Sequence, residues 1–180
     1  MGVTRLHLTI NHYNSPVGIL TIVTSSAGLC RLAFAAEPAA ATSAYLARVF
    51  PGVAITTGEQ DSLARETMVQ LDEYFAGRRR AFNLPLDLHG TPFQRSVWAA
   101  LLKIPYGTTC SYSDLARTIG RPRATRATGQ AIGSNPVGII IPCHRVIGKN
   151  GRLVGFGGGL AVKEWLLEFE DRVNQTSGGK

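Results

Sequence analysis

Residues 135–147 read NPVGIIIPCHRVI, and they hold the densest reactive chemistry in the chain. Cys143, His144 and Arg145 are consecutive behind Pro142, whose ring limits the backbone entering the cysteine. A thiol beside an imidazole and a guanidinium sits at an electropositive place, which favours the thiolate. The thiolate is the nucleophilic form, so this pattern points to covalent chemistry at sulfur. The bland alternative is an inert buried cysteine before a turn. Pro-Cys-His-Arg behind the Asn135-Pro136 turn is far more specific than a lone cysteine.

Those residues need a frame to hold them. The 180 residues suffice for one domain, or two small ones, with a real hydrophobic core. Hydrophobic residues at 44% and charged residues at 17% are a globular balance, which argues against disorder. No apolar run reaches the roughly 18–20 residues that a membrane span needs. The first residues, MGVTRLHLTI, lack an apolar signal core, so secretion is not expected. Three cysteines, Cys30, Cys110 and Cys143, cannot all pair, which fits a reducing, cytoplasmic setting.

The net charge of +7 is unevenly placed. Residues 1–90 hold seven basic and seven acidic side chains; residues 91–180 hold twelve and five. Between Asp114 and Glu164 there is no carboxylate. A one-signed half beside a neutral half points to a polyanion partner, most simply nucleic acid, although a solvated basic face would look the same.

The first third reads as strands: LHLTINHY, GILTIVTS and Leu29–Phe34, with Asn14-Ser15-Pro16 as turn material. A helix is predicted near 40–49, broken by Pro51-Gly52. Residues 61–76 fit an amphipathic helix with Leu63, Thr67, Leu71, Tyr74 and Phe75 near one face. Two prolines and a glycine in NLPLDLHGTP place a linker at 85–91, between a domain at 1–84 and another at 92–172. Residues 92–103 put Phe93, Val97, Ala100 and Leu101 on one stripe. Ser113 is the expected N-cap of SDLARTIG, which Gly120 ends. A second helix is expected over 123–133, and 173–180 as a flexible tail.

Two short helices joined by Gly120-Arg121-Pro122 look like a helix-turn-helix. The second presents small residues, Ala124, Ala127, Gly129, Ala131 and Gly133, with Thr125 among them and Arg123 and Arg126 at its start. Readers of the major groove use long polar side chains. A small-residue helix instead either presses against a backbone or narrow minor groove, or lets two helices pack closely.

PCHRVIG, with Asn135-Pro136 upstream and VGFGGGLAVKEWLLE downstream, resembles the O6-alkylguanine-DNA alkyltransferases. GTPFQRSVW and IPYGTTCSYSDLA match the same family pattern, so the resemblance is strong over about residues 91–172. It is weaker over 1–84, carried by Ser15-Pro16-Val17-Gly18-Ile19-Leu20 and Tyr74-Phe75-Ala76-Gly77. The resemblance implies an α+β fold, with an N-terminal ribonuclease H-like sheet with helices and a mainly helical C-terminal domain with a helix-turn-helix. It implies direct-reversal DNA repair: an alkyl group on guanine O6, and by extension thymine O4, passes irreversibly to the protein's own cysteine. One molecule then repairs one lesion.

By position, the resemblance makes Cys143 the alkyl acceptor, His144 the base acting through water and Glu170 the carboxylate that orients it. Asn135 would tie the turn after the recognition helix to the active segment, and Arg126 would replace the flipped nucleotide in the stack. Tyr112 would contact the flipped guanine, the Val146 carbonyl and Gly157 amide would line its pocket, and Lys163 would support the nearby loop. Duplex DNA bound through its minor groove to a monomer is the implied partner, with no membrane role.

Some members carry tyrosine and serine where this chain has Phe156 and Gly157, so one phenol contact to guanine is expected to be missing. Gly138 stands where some members have a proline that packs on bulky alkyl groups, and Gln130 and Ser134 occupy recognition-helix positions that are glycine in some relatives. Certain relatives hold zinc in the N-terminal domain. Here Cys30 and His89 lie near two of the ligand places, Leu6 and Ser25 near the others, and His7 is close by. Four ligands are not evident, so no metal and no cofactor are expected. Two rival readings are a non-catalytic binder of alkylated DNA on the same scaffold and a cysteine hydrolase using Cys143, His144 and Glu170.

Overall fold

A computed structural model describes residues 7–58 and 61–177. It divides the chain into two compact units, Met1–His89 and Gly90–Lys180. Leu6, the first residue of the expected opening strand, and the tail beyond Ser177 lie outside the described residues.

The first unit is a four-stranded sheet in the order β3-β2-β1-β4. β1 (His7–Ser15) and β2 (Gly18–Thr24) form an antiparallel hairpin closed at Ser15↔Gly18. Pro16 and Val17 make its two-residue loop, and Gly18 follows with a φ of 100°. β3 (Leu29–Phe34) pairs antiparallel to β2 with a bulge at Val23/Thr24. β4 (Ala54–Thr57) joins β1 in parallel. Sequence patterning misses β4: four residues, mostly exposed, carry no alternation to read.

Helices cover both sheet faces. α1 (Ala39–Val49) buries Tyr45 and Leu46 against Leu8, Val23 and Cys30, with Phe50 beside them. α2 (Ser62–Phe75) lies on the other face, where Tyr13 donates to Asp72 at 2.7 Å and stacks on Phe75. Tyr13 and Leu8 differ by an odd number of positions along β1, so they point to opposite sides. Asp61 caps α2 by accepting from the Ala64 amide at 2.6 Å. The buried stripe of α2 is Ala64, Thr67, Gln70, Leu71 and Tyr74. Leu63 and Phe75, expected inside, are half-buried because Ala64 and Gln70 take the central positions.

All six residues of β3 are buried, so its free edge needs cover. Residues 85–87, expected in the linker, supply it. Leu29 N donates to Pro85 O at 2.8 Å and Asp87 N donates to Leu29 O at 3.0 Å. Gly28 permits this approach, since a Cβ there would stand 2.7 Å from Pro85 O. The division between the units falls between His89 and Gly90.

The second unit is mainly helical. α3 (Pro92–Leu101) opens with a capping box between Thr91 and Gln94 and with proline in its first turn. It buries Val97, Trp98, Ala100 and Leu101, while the expected Phe93 is half-buried. β5 (Cys110–Ser111) precedes α4 (Tyr112–Thr118). Ser111, not the expected Ser113, caps α4: its hydroxyl accepts from Asp114 N, and the Asp114 carboxylate accepts from Ser111 N, both at 3.1 Å. The reciprocal pair sets the helix start two residues earlier. Gly120, at a φ of 70°, ends α4 without the steric penalty a Cβ would bring.

α5 (Thr125–Gly133) packs on both α3 and α4. β6 (Val146–Ile147) pairs in parallel with β5. α6 (Leu160–Ser177) includes residues 173–177, expected in the tail. Side-chain bonds hold that last stretch: Asn174 Nδ2 to Tyr106 O at 3.4 Å, and Gln175 Nε2 to Asp171 Oδ2 at 2.7 Å. No helix among the described residues is long and apolar enough to cross a membrane.

Candidate active site

The approach to Cys143 is a pair of tight turns. Ile140 N donates to Gly138 O at 2.7 Å around Ile139, whose φ is 66°. That conformation is strained for a β-branched side chain, by about 1–3 kcal/mol. Burial of Ile139 within the unit holds it there. Next, Cys143 N donates to Ile141 O at 2.7 Å around Pro142, whose φ of −80° suits its ring. Asn135 ties this run to the end of α5: Nδ2 donates to Ile141 O at 2.8 Å, and Oδ1 accepts from Val137 N at 3.0 Å.

Cys143, His144 and Arg145 form one 3-10 turn and are all buried. His144 Nε2 lies 2.8 Å from Glu170 Oε1, with neither side chain exposed. A surface role for Glu170 is therefore excluded. Arg145 forks onto the same carboxylate, Nε to Oε2 and Nη2 to Oε1, both at 2.9 Å. Its third bond goes from Nη1 to Ile104 O at 2.7 Å, and its guanidinium lies 5.5 Å from the Tyr106 ring centre. Gly107 N adds a donor to Glu170 Oε2 at 3.0 Å. Burial alone would raise the Glu170 pKa, but these hydrogen bonds from His144 and Arg145 outweigh it and hold the carboxyl well below its usual range.

With Glu170 ionised, His144 must donate from Nε2. The ring nitrogen left to accept a proton is Nδ1, which is buried with no hydrogen-bond partner among the described residues. Burial lowers the His144 pKa, so the ring is neutral near pH 7. The chain thus holds a neutral imidazole with a fixed tautomer next to a cysteine, the pattern of an activated nucleophile.

Lys163 and Tyr112 complete the surroundings. Lys163 Nζ donates to Val146 O at 2.6 Å and Val154 O at 2.9 Å, fully buried. Burial lowers its pKa, and the charge of Cys143 pulls the other way. Tyr112, the first residue of α4, donates its hydroxyl to Val154 O at 3.0 Å. Burial, then the charge of Cys143, raises its pKa, so it remains a phenol. The other two cysteines are biased toward the protonated thiol. Burial pushes Cys30 up to about 12, and burial with the Asp114 charge raises Cys110.

The remaining sequence candidates are scattered. Arg123, Arg126 and Ala127 are exposed, while Ala124, the N-cap of α5, and Thr125 are half-buried. Ala131 is not on the exposed face. It is 3% exposed and its carbonyl accepts from Trp98 Nε1 at 2.8 Å, because the α3-facing side of α5 is core. Phe156 is half-buried and Gly157 exposed in the loop before α6. Sequence reasoning counted Arg145 only as positive charge. Its clasp on Glu170 spans 25 positions, which no local spacing signals.

Of the zinc places, Leu6 lies outside the described residues, and His89 and Cys30 have other partners. His89 pairs with Asp87 at 2.7 Å, and the Cys30 thiol donates to Val23 O at 3.2 Å. Among the described residues, no group of three or more His, Cys, Asp or Glu side chains is arranged to hold a metal.

Comparison with known proteins accounts for both units. The 6-O-methylguanine DNA methyltransferase ribonuclease-like domain matches residues 9–88, and the DNA binding domain of the same name matches 92–172. A methylated-DNA–protein-cysteine methyltransferase of Methanosarcina acetivorans is 51% identical over 112 residues, 62% of this chain and 72% of the relative. The inducible one of Bacillus subtilis is 49% identical over 125 residues, 69% of each. The crystal structure of Mycobacterium tuberculosis OGT in complex with DNA aligns with a TM-score of 0.78 at 40% identity, covering 93% of this chain and 94% of that one. A sheet unit and a helical unit that each match their counterpart, in chain order, mean that this chain belongs to the 6-O-methylguanine DNA methyltransferase family.

Proposed function

We propose that this chain repairs alkylated DNA by moving the alkyl group of O6-alkylguanine onto the sulfur of its own Cys143. The protein is a methylated-DNA–protein-cysteine methyltransferase in activity, and it binds DNA. The observation that carries the assignment of Cys143 is its place beside a buried His144 whose proton-bearing nitrogen is pinned by Glu170. A binder without acceptor chemistry has no use for that arrangement.

The chemistry assigns each residue a step. His144 Nδ1 takes the thiol proton, directly or through one water. The sulfur then attacks the saturated alkyl carbon, a C–S bond forms, and the bond to guanine O6 breaks. Charge that builds on the guanine is met by a proton donated to its ring nitrogen, for which Tyr112 is the phenol at hand. The thioether is stable and no group nearby can cleave it, so turnover is single. A hydrolase would need a second water-driven step, which favours the acceptor reading.

The lesion lies inside paired, stacked DNA, so the nucleotide must be flipped out, at a cost of a few kcal/mol. Exposed Arg126 on α5 fits the role of filling the gap. Small exposed Ala127 and the adjoining Arg123 suit close approach to a minor groove and its phosphates. A monomer suffices, since every residue of this scheme comes from one chain. Incubation with duplex DNA carrying radiolabelled O6-methylguanine tests the function: at most one label per chain is expected, and none in Cys143→Ala. Repeated turnover, or label in the alanine variant, would overturn it.

A further inference from the structure

The Glu170 carboxylate offers about four lone-pair sites, and four N–H groups occupy them: His144 Nε2, Arg145 Nε, Arg145 Nη2 and the Gly107 amide. Glu170 is fully buried. It has no free acceptor position for a proton in transit, so it orients and does not shuttle. Arg145 is held just as firmly, by the Ile104 carbonyl and against the Tyr106 ring. These anchors come from the segment between α3 and β5, outside the cysteine motif.

We propose that Arg145 is a positioning residue for alkyl transfer: by neutralising Glu170 it keeps His144 neutral, with its proton on Nε2 and Nδ1 free to act as the base. This rests on the reading of His144 as the base. The physics is a competition for one negative charge. A buried carboxylate facing only an imidazole stabilises the imidazolium, which cannot take the thiol proton. A guanidinium forked across both oxygens cancels that field and adds direct repulsion between two cations. The charged groups acting on His144 are Glu170 and Lys163 from α6 and Arg145 of its own turn, which Cys143 opens. Glu170 pulls the imidazole toward the charged form; Arg145 and Lys163 push it toward the neutral one. Arginine is required over lysine because only the planar fork reaches both oxygens at once.

The test titrates His144 by ring-nitrogen NMR in full-length, DNA-free wild type, Arg145→Met and Arg145→Lys. In wild type the ring stays neutral with its proton on Nε2 across neutral pH. In both variants the imidazolium midpoint should rise, by about one pH unit or more in the methionine variant and less in lysine, which restores charge without the fork. The low-pH limb of single-turnover transfer should move up in step. Unchanged midpoints with a uniform loss of rate would show Arg145 to be merely structural and overturn the proposal. If the methionine variant fails to fold, the lysine variant decides by the same criterion. Because the titration is read without DNA, a wild type that titrates as stated yet transfers no alkyl group refutes the proposed function and leaves this placement of Arg145 standing.

Discussion

Tyr112 and Lys163 converge on one acceptor, the carbonyl of Val154, at 3.0 and 2.9 Å. The Lys163 ammonium also lies 5.9 Å from the Tyr112 ring centre. One backbone oxygen in the loop before α6 therefore fixes both the phenol and the buried cation beside Cys143. Tyr112→Phe should leave stability within about 1 kcal/mol, since one neutral hydrogen bond is lost. Transfer should slow by about 10²-fold, because a proton donor to the leaving base is gone. Single-turnover rates with a thermal melt check both; an unchanged rate would remove Tyr112 from the reaction.

Lys163→Met tests the cation separately. It strips the Lys163 donor from the buried carbonyl of Val146, while Val154 O keeps the Tyr112 hydroxyl, so stability should drop by about 1–3 kcal/mol in urea unfolding. A loss under about 1 kcal/mol would mean that the Val146 carbonyl finds another partner.

Arg126→Ala should weaken repair of duplex DNA much more than reaction with free O6-benzylguanine, because only the duplex requires flipping. Equal losses on the two substrates would argue against a wedge at this position. Binding of the wild type should weaken as salt rises, through counterion release at phosphates.

Asn135→Ala deletes two bonds that hold the 137–141 segment, at 2.8 and 3.0 Å. A loss of about 2 kcal/mol is expected, about 1 kcal/mol per bond, with slower transfer as the cysteine turn loosens. Denaturant titration and transfer rates check it. A slow enzyme of undiminished stability would point to a direct chemical role instead.

Stability should fall in two stages on acidification. The folded pKa of His144 is lowered, so the unfolded chain binds more protons through the ordinary histidine range and stability drops as pH falls there. Glu170 is also lowered, so its stabilisation is intact above the ordinary carboxylate range and is lost as pH falls through it. Urea unfolding across this range should show both stages, and His144→Gln should remove the first. A variant with the same pH profile as wild type would refute the assignment.

The candidate site could be read where it is local: Pro142, Cys143 and His144 are consecutive, and Asn135 bonds Ile141 six residues on. The helices were legible from periodicity and caps, as in α2 and α3. What was hidden lies at long separation or in reciprocal choices. Arg145 reaches Glu170 and Ile104 across distant segments. Ser111 and Ser113 both precede Asp114, and only Ser111 sits three residues ahead of it, where the capping box closes. Ala131 reads as a small exposed residue until Trp98 claims its carbonyl. The terminal helix outlasts its polar sequence because side chains such as Asn174 and Gln175 find partners within the fold.

Peptide mass spectrometry after exposure to duplex DNA containing O6-methylguanine addresses the acceptor most directly. The peptide bearing Cys143 should gain a single methyl group on sulfur, with Cys30 and Cys110 unchanged. Recovery of that peptide unmodified while the lesion disappears, or methylation at another residue, would contradict the account.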